Sequence, residues 1–341
     1  MSDRDVAVVT GGGRGIGRAI SLKLARAGWD VVIGYLSDVD SATSVADEIQ
    51  TLGGRALCIQ VDTVDERSVE AFFAAAEQFG TVTGVVNNAG AATAVGRLED
   101  NDLADIRHDI DVNLFGVIAC CKHAQATLAR SGGGAIVNIS SAAATLGSPG
   151  SYVQYAAAKA GVDALTVGLS KELAPSIRVN AVSPGTIWTQ FHRDPDRPAK
   201  VAETVPMGRA GEADEIAGAV AWLLSSEASY VTGANLRVAG GLGRHATGDR
   251  AIGDPLRRHG HSGYAETGVC RSSPADHRAV RPSSCTTEQR PHESKVTSGA
   301  IRPAPRPAPA VPARPRGGAG LRHVLGRHPQ LVPRTRPAGR S

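Results

Sequence analysis

One pair of side chains in the sequence has types and spacing that suit proton transfer. Tyr155 and Lys159 lie four residues apart in an alanine-rich segment predicted to be helical, so both share one helix face. The pKa of a free tyrosine is about 10, and a fixed cation beside the phenol favours the phenolate, which moves the group toward proton exchange near neutral pH. Ser141, at the end of the preceding predicted strand, would hold a carbonyl or alcohol oxygen against that phenol. Tyr-x-x-x-Lys is also common on surface helices without a catalytic role. The other motifs of the chain are therefore needed to decide whether this pair is catalytic.

A glycine-rich turn opens the chain between a predicted strand and a predicted helix. The apolar run Asp5–Thr10 is typical of a buried parallel strand, and it leads into Gly11-Gly-Gly-Arg-Gly-Ile-Gly17 before a helical pattern that continues to Ala27. Glycines let the backbone approach a pyrophosphate closely, and the N–H groups of a helix N-terminus attract it. The segment therefore predicts a nucleotide-binding site.

The predicted second strand, Trp29–Tyr35, bears on which nucleotide binds. In dinucleotide-binding folds an acidic residue near the end of this strand takes the ribose hydroxyls and excludes a 2′-phosphate. Here Leu36-Ser37 follow the strand, and the first acid is Asp38. Since Arg14 in the glycine turn can meet a 2′-phosphate, the sequence favours NADP(H). In the alternative, Arg14 is only solvated and Asp38 or Asp40 accepts NAD(H).

Strand and helix patterns alternate along most of the chain. Such alternation predicts right-handed βαβ units and a parallel sheet that gathers ligands at the carboxyl ends of its strands. We therefore expect an α/β fold with a single doubly wound parallel sheet, the Rossmann fold. The further predicted helices are Ser41–Leu52, Glu66–Phe79, Leu103–Arg130, Tyr155–Leu173 and Glu212–Ser225, and the further strands are Ala56–Val61, Gly84–Gly90, Gly132–Ser141, Ile177–Val182 and Leu236–Gly241. The polar segment Gln190–Val205 is expected to form a mobile lid.

Charge divides the 341 residues into two unlike parts. Residues 1–242 contain 19 Lys and Arg against 27 Asp and Glu, whereas residues 243–341 contain 18 against 6. The first part is long enough for one large α/β core. The second part holds 13 of the 19 prolines and almost no aromatic residues, so it has little to bury against its ordering entropy. The sequence thus predicts one domain with cofactor and catalytic sites over 1–242, and a disordered Arg- and Pro-rich tail over 243–341.

The sequence gives little support for metal binding, membrane association or nucleic-acid binding. The five cysteines, at positions 58, 120, 121, 270 and 285, show no metal-ligand spacing, so no metal site is predicted. The N-terminus has no signal-peptide pattern and no apolar run reaches membrane-spanning length, so we expect a cytoplasmic protein without a membrane partner. Binding of nucleic acid would depend only on the tail, which is either a basic disordered arm or an out-of-frame reading of a GC-rich gene.

Taken in order along the chain, these motifs resemble the short-chain dehydrogenase/reductase family. The resemblance covers residues 5–242 and is carried by the glycine turn from Thr10 to Gly17, Asn87-Asn-Ala-Gly90, Asn113, Ser141, Tyr155-x-x-x-Lys159, Ser183-Pro-Gly185, Tyr230-Val-Thr-Gly and Val238-Ala-Gly-Gly241. It implies an oxidoreductase in which a single doubly wound domain carries both the cofactor and the catalytic residues.

The resemblance also implies a role for each matching residue. Tyr155 would exchange the proton with the substrate oxygen, while Lys159 would hold the nicotinamide ribose and lower the pKa of the tyrosine. Ser141 would orient the substrate carbonyl, and Asn113 would support a proton-relay water. The residues implied in cofactor binding are Gly11, Gly15, Ile16 and Gly17 along the pyrophosphate, Arg14 and Ser37 near the 2′-phosphate, Asp62 and Thr63 by the adenine, Asn88, Tyr155 and Lys159 by the ribose and nicotinamide, and Ile187 and Thr189 at the nicotinamide amide.

For two of these roles a nearby residue of the same type is the alternative, namely Ser140 for Ser141 and Tyr152 for Tyr155. Ser140 and Ser141 point opposite ways on an extended chain, and family spacing favours Ser141. Tyr152 lies seven residues before Lys159, the spacing seen in relatives that reduce enoyl thioesters. Tyr155 supplies the ketone-reductase spacing, and the glycine turn is of that type, so Tyr152 is expected to line the pocket wall.

The sequence predicts an NADP(H)-preferring oxidoreductase that interconverts a carbonyl and an alcohol of modest size by hydride transfer. A 3-oxoacyl-thioester reductase and a glucose 1-dehydrogenase-like enzyme are the alternatives within the family. A cofactor-sensing or scaffold protein is the non-enzymatic alternative, against which the joint presence of Asn113, Ser141, Tyr155 and Lys159 argues. The resemblance further implies a homo-oligomer, a dimer or tetramer, packed through helices 103–130 and 155–173.

Overall fold

The computed structural model describes residues 4–191 and 194–243. Its strands are β1 (Val6–Thr10), β2 (Asp30–Tyr35), β3 (Ala56–Gln60), β4 (Val82–Asn87), β5 (Gly134–Ile139), β6 (Ile177–Pro184) and β7 (Asn235–Val238). They form one parallel sheet in the order β3-β2-β1-β4-β5-β6-β7. The prediction of a single doubly wound parallel sheet is confirmed.

Helices cover both faces of this sheet, which explains why its central strand β1 is apolar along almost its whole length. The helices are α1 (Gly15–Arg26), α2 (Val39–Thr51), α3 (Glu66–Phe79), α4 (Leu103–Ile110), α5 (Gly116–Arg130), α6 (Ala143–Leu146), α7 (Val153–Glu172), α8 (Arg197–Ala202) and α9 (Ala213–Leu224). Val9 of β1 enters a core cluster with α1, α2 and α9, whereas the adjacent Val8 enters a second cluster with α3, α5 and α7. Because successive side chains of a strand point to opposite faces, a sheet covered twice needs apolar residues at every position.

The strand order reverses between β1 and β4, and this reversal forms a crevice. From β1 the chain adds β2 and β3 on one side, then returns to place β4 on the other side of β1. Every neighbouring pair is parallel, so all the carboxyl ends lie at one edge. In such sheets the loops after the two strands at the reversal diverge to opposite faces and leave a binding crevice between them. The glycine turn after Thr10 and the loop after Asn87 meet there.

The prediction of a single helix over Leu103–Arg130 is wrong at its centre, where the α-helix is interrupted. One turn of π-helix, Asp111–Phe115, separates α4 from α5. Asn113 explains the interruption, because its Nδ2 donates to the backbone oxygen of Asp109 at 2.8 Å. In a regular α-helix that oxygen would accept from the backbone N–H of Asn113 itself. Such π turns are frequent at functional sites.

The segment predicted as a lid, Gln190–Val205, contains the short helix α8, and neither α8 nor α6 was predicted. The remaining boundaries agree with the predicted ones to within three residues. His192, Arg193 and the predicted disordered tail from residue 244 onward lie outside the described residues.

Membrane-spanning helices and metal-ligand clusters are both absent from the described ranges. No helix in residues 4–191 and 194–243 is long and apolar enough to cross a membrane. Within the same ranges, no group of three His, Cys, Asp or Glu side chains is placed to hold a metal ion.

Candidate active site

A cavity of about 540 Å³ lies at the carboxyl edge of the sheet, where the strand order reverses. All residues predicted to bind the cofactor line it, namely Gly11, Arg14, Gly15, Ile16, Gly17, Ser37, Asp62, Thr63, Asn88, Tyr155, Lys159, Ile187 and Thr189. Ser141 lines it as well, so three of the four predicted catalytic residues share a cavity with the predicted cofactor residues.

The glycine turn forms part of the cavity wall, and its glycines are required by close contact or by backbone conformation. A Cβ on Gly17 would overlap the carbonyl oxygen of Gly11, and both Gly11 and Gly15 have left-handed backbones, with φ of 63° and 53°. α1 starts at Gly15 with no side-chain cap among the described residues and no acidic residue in its first turn. Its N–H groups and the positive end of its dipole are thus available to phosphate oxygens. The turn fits the pyrophosphate of a dinucleotide.

Hydrogen bonds lock the ends of β1 and β4 together beside this turn. Nδ2 of Asn88 donates to the backbone oxygens of Thr10 and Gly11 at 2.9 and 3.1 Å. Oγ1 of Thr10 accepts from the backbone nitrogens of Asn88 and Ala89 at 3.0 and 3.1 Å. Asn88 therefore sets the width of the crevice as well as lining its wall.

A pair of opposite charges lies where the glycine turn meets the loop after β2. The side chain of Arg14 is 70% exposed, and its Nη1 lies 4.0 Å from Oδ2 of Asp38. The Asp38 carboxylate caps α2, accepting from the backbone nitrogen and the Oγ of Ser41 at 3.0 and 2.8 Å. These two hydrogen bonds are the main reason that the pKa of Asp38 is lowered. Ser37 lies beside them on the cavity wall.

The start of α7 forms another part of the wall. Tyr155 is 8% exposed, and its phenol interacts with the side chain of Ser141. The ring of Tyr152 packs edge-on against it with 5.2 Å between centroids, and Phe191 packs at 5.8 Å. Ser140 is directed elsewhere, because its Oγ donates to the backbone oxygen of Lys159 at 3.2 Å. Of the two neighbouring serines, Ser141 is the one that meets the phenol.

Lys159 is almost fully buried near the ring of Tyr155. Only 3% of its surface is exposed, and its Nζ donates to the backbone oxygen of Ile139 at 2.9 Å. The same nitrogen lies 5.6 Å from the centre of the Tyr155 ring. Burial lowers the pKa of Lys159 to about 8, against the opposing effect of the Asp163 carboxylate. At neutral pH the side chain therefore remains mostly protonated and presents a fixed positive charge.

The prediction that the pKa of Tyr155 is lowered is wrong for the buried phenol of this structure. Burial raises the pKa of the phenol above its usual value, the neighbouring Tyr152 adds to the rise, and the interaction with Ser141 opposes it. The physical reason is that desolvation disfavours the phenolate, while the ammonium of Lys159 makes its hydrogen bond to Ile139. Tyr155 is thus held as a neutral phenol, a form that can donate a proton.

Comparisons with known proteins decide the family. A family model described as enoyl-(acyl carrier protein) reductase matches residues 11–243. The uncharacterized oxidoreductase YgfF of Escherichia coli K12 is 44% identical to the chain over 244 residues, which cover 69% of this chain and 99% of that protein. The chain belongs to the short-chain dehydrogenase/reductase family.

Two further similarities agree with membership of the short-chain dehydrogenase/reductases. The 3-oxoacyl-[acyl-carrier-protein] reductase FabG of Staphylococcus epidermidis is 38% identical over 242 residues, which cover 69% of this chain and 98% of that protein. The crystal structure of a blue fluorescent protein from a metagenomic library in complex with NADPH has a TM-score of 0.65 at 36% identity, covering 70% of this chain and 97% of that one. The protein is an NAD(P)-dependent oxidoreductase that uses a nicotinamide cofactor.

In this short-chain dehydrogenase/reductase, Asn113 is buried and does not line the cavity. Its Nδ2 donates to the backbone oxygens of Ala91 and Asp109 at 2.6 and 2.8 Å, and its Oδ1 accepts from the backbone nitrogen of Ala91 at 3.4 Å. Both N–H groups of the amide are therefore used within the protein. The predicted support of a water would have to come from other atoms of Asn113, and it stays a prediction.

The loop after β6 brings Ile187 and Thr189 to the cavity. Ile187 is buried and forms a parallel bridge with Gly211. A Cβ on Gly15 would lie 3.6 Å from the side chain of Thr189, so this loop crosses the glycine turn. Contact with the nicotinamide amide stays a prediction for both residues.

Three polar side chains near α7 of this dehydrogenase/reductase were not predicted. They are Asp109, Gln154 and Arg197, whose Nη2 donates to the hydroxyl of Tyr152 at 3.2 Å. Asp109 lies four residues before Asn113 on a helical segment, a spacing that could have pointed to it. Gln154 and Arg197 gave no such signal, because their contacts reach across 60 and 45 residues of chain.

Proposed function

We propose that this enzyme reduces the carbonyl group of a substrate of modest size to an alcohol, with NADPH as the preferred hydride donor, and catalyses the reverse oxidation with NADP⁺. The observation that carries the proposal is that Ser141, Tyr155 and Lys159 line the same cavity as the glycine turn. This arrangement supports a proton donor and an oxygen-orienting hydroxyl beside a site that fits a dinucleotide. Lys159 supplies a buried positive charge near the same phenol.

The chemistry would divide between the cofactor and the chain. A bound nicotinamide cofactor supplies a hydride, with its electron pair, to the carbonyl carbon. Ser141 would donate a hydrogen bond to the carbonyl oxygen and hold it beside Tyr155. The Tyr155 hydroxyl would give its proton to that oxygen as negative charge develops there, leaving a phenolate that the charge of Lys159 stabilises. A proton from solvent would then restore the phenol.

Preference for NADP(H) over NAD(H) is part of the proposal and depends on Arg14 and Ser37. Both line the cavity, and neither would repel a 2′-phosphate. The nearby Asp38 uses both carboxylate oxygens to cap α2 through Ser41. Arg14 can turn from Asp38 to a phosphate at small cost, because an ion pair of 4.0 Å between partly exposed side chains contributes little.

Reduction of an enoyl thioester is the second candidate. The matching family model carries that description, and Tyr152 has the corresponding spacing to Lys159. The surroundings favour Tyr155 as the proton donor, because its phenol faces Ser141 and lies near Lys159, whereas the hydroxyl of Tyr152 accepts a hydrogen bond from Arg197. We therefore place carbonyl reduction first.

The first carbonyl substrate to test is a 3-oxoacyl thioester, because the similar FabG protein is named a 3-oxoacyl-[acyl-carrier-protein] reductase. Oxidation of a sugar, as in a glucose 1-dehydrogenase-like enzyme, is the alternative. Phe191 lines the cavity and packs against Tyr155, and its apolar ring suits an uncharged part of the substrate.

The proposal extends to the organisation of the chain. Residues 1–242 would form the whole catalytic unit in the cytoplasm, and residues 243–341 would take no part in catalysis. Assembly into a dimer or tetramer is supported by exposed apolar side chains along the segments 103–130 and 155–173, which are Leu103, Ile110, Phe115, Ile118 and Val167. Sedimentation of the full chain would measure the assembly state.

The proposed activity is tested by measuring oxidation of NADPH and of NADH by the wild-type protein. The panel contains ketones, aldehydes, a 3-oxoacyl thioester and an enoyl thioester, with glucose and NADP⁺ for the reverse direction. We expect turnover with a carbonyl compound, faster with NADPH than with NADH. Turnover of the enoyl thioester alone would replace the first candidate by the second.

A further inference from the structure

Asp109 is a fully buried carboxylate near the end of α4 that the proposed mechanism does not use. Its Oδ1 accepts from the backbone nitrogen of Thr93 at 2.6 Å, and its Oδ2 accepts from that of Ala94 at 3.1 Å. Nε2 of Gln154 donates to the same Oδ2 at 3.1 Å. All three partners are donors, so a carboxylate satisfies them where a neutral amide of the same shape would set an N–H group against one of them.

Gln154 connects this carboxylate to the catalytic helix. It is buried and immediately precedes Tyr155 in the first turn of α7. Its Nε2 donates both to Asp109 and to the backbone oxygen of Ala94, the latter at 2.6 Å. Since both of these neighbours are acceptors, they fix the orientation of the amide. Gln154 therefore ties the start of α7 to the loop formed by residues 91–96.

The loop 91–96 carries small residues and is held by hydrogen bonds. Its first residue, Ala91, lines the cavity and exchanges hydrogen bonds with Asn113. At its other end, the backbone nitrogen of Gly96 donates to the oxygen of Ser151 at 2.7 Å, just before α7. Small side chains offer little packing to fix a loop, so these polar contacts determine where this part of the cavity wall lies relative to α7.

We infer that Asp109 and Gln154 form a positioning pair that fixes the phenol of Tyr155 relative to loop 91–96 and to Ala91, the residue of this loop that lines the cavity. This inference rests on the proposed role of Tyr155 as proton donor. The groups that face Tyr155 directly are Ser141 and Tyr152, with Lys159 near its ring. Asp109 acts on the phenol from farther away, and its negative charge contributes to the raised pKa of Tyr155.

Two variants distinguish the hydrogen bond made by Gln154 from the negative charge of Asp109. Gln154→Met keeps the length of the side chain and removes the amide, so Asp109 retains its charge and its two backbone donors. Asp109→Asn keeps the shape and removes the charge. In both variants we expect kcat for the carbonyl substrate of the wild type to fall roughly 10- to 100-fold, because a small misplacement of a reacting group costs about that much. The Kd for NADPH should not change.

The pH profile adds a readout that loss of packing alone would not move. Removing the charge in Asp109→Asn should shift the alkaline limb of kcat/KM to lower pH, whereas Gln154→Met should leave that limb in place. The matched control is Asp105→Asn, the same substitution at an exposed position of α4, which should behave as the wild type. Wild-type kcat in both Gln154→Met and a folded Asp109→Asn would overturn the inference. Should Asp109→Asn not fold, the kcat of Gln154→Met decides.

Amide hydrogen exchange tests the pair without turnover. The amides of Thr93 and Ala94 donate to Asp109, so they should exchange faster in Asp109→Asn than in the wild type or in Asp105→Asn. Full activity of Tyr155→Phe would refute the proposed function by itself. Unchanged exchange at Thr93 and Ala94 in Asp109→Asn would instead refute the positioning pair, whatever the activity.

Discussion

The ammonium nitrogen of Lys159 lies 5.6 Å from the centre of the Tyr155 ring and donates its hydrogen bond to the carbonyl of Ile139, 2.9 Å away. The lysine therefore acts on the phenol through its charge. Both side chains are buried, and burial opposes the charged form of each, which raises the pKa of Tyr155 and lowers the pKa of Lys159. At neutral pH the phenol of Tyr155 is therefore neutral, and Lys159, with a pKa of about 8, is mostly protonated.

The lowered pKa of Lys159 predicts how stability depends on pH. Between about pH 8 and about pH 10.5, the folded protein has released this proton while the unfolded chain retains it. The free energy of unfolding should therefore gain up to about 1.4 kcal/mol per pH unit from this group within that window. Below about pH 8 both states are protonated, and burial of the charge is a constant cost.

Lys159→Met should remove both that cost and that slope. Denaturant unfolding from neutral pH to about pH 10 is the measurement. We expect the variant to be the more stable protein at neutral pH and to lose this advantage as the pH rises. A constant difference between the two proteins across the window would contradict the lowered pKa.

Arg14→Ala tests the proposed cofactor preference. A guanidinium–phosphate contact is a charge-assisted hydrogen bond, and its loss should raise the KM for NADPH roughly 10- to 100-fold. The KM for NADH, which lacks the 2′-phosphate, should barely change. Arg18→Ala is the matched control, because Arg18 is another partly exposed arginine of this region, paired with Glu48. Equal effects of Arg14→Ala on both cofactors would argue against a 2′-phosphate contact.

Gly17→Ala should disrupt the glycine turn. The added Cβ would overlap the carbonyl oxygen of Gly11, so the backbone must shift, at a cost of about 1–3 kcal/mol. NADPH affinity should fall with it. Gly218→Ala is the control: no described atom outside the helix backbone lies near its added Cβ, and alanine should stabilise α9 by about 0.5–1 kcal/mol. Thermal unfolding and NADPH titration measure both effects, and wild-type binding by Gly17→Ala would contradict the role of this turn.

The parts of the fold that the sequence predicted well are those set by local rules. β1 is an apolar run because a parallel sheet covered on both faces buries every position. The glycine turn is recognisable because Gly11 and Gly15 adopt left-handed backbones and Gly17 has no room for a Cβ. Ser141, Tyr155 and Lys159 were found because helix and strand geometry brings them to one edge of the sheet.

The features that the sequence did not predict arise from contacts between distant segments. The π turn at Asn113 forms because its amide takes the carbonyl of Asp109 and also reaches Ala91. In the sequence Gln154 looks like an ordinary helical residue, because its hydrogen-bond acceptor, the backbone oxygen of Ala94, lies 60 residues away. The direction of the pKa shift of Tyr155 was missed because spacing shows a nearby cation but shows neither burial nor where that cation donates.

The most direct test of the account compares Tyr155→Phe with Tyr152→Phe in the oxidation of NADPH by a carbonyl substrate. Loss of the proton donor should lower kcat roughly 10²- to 10⁴-fold in Tyr155→Phe, with NADPH affinity unchanged. Tyr152→Phe removes only a hydroxyl that accepts from Arg197, so most of the activity should remain. A fully active Tyr155→Phe, or a loss confined to Tyr152→Phe, would contradict the assignment of proton transfer to Tyr155.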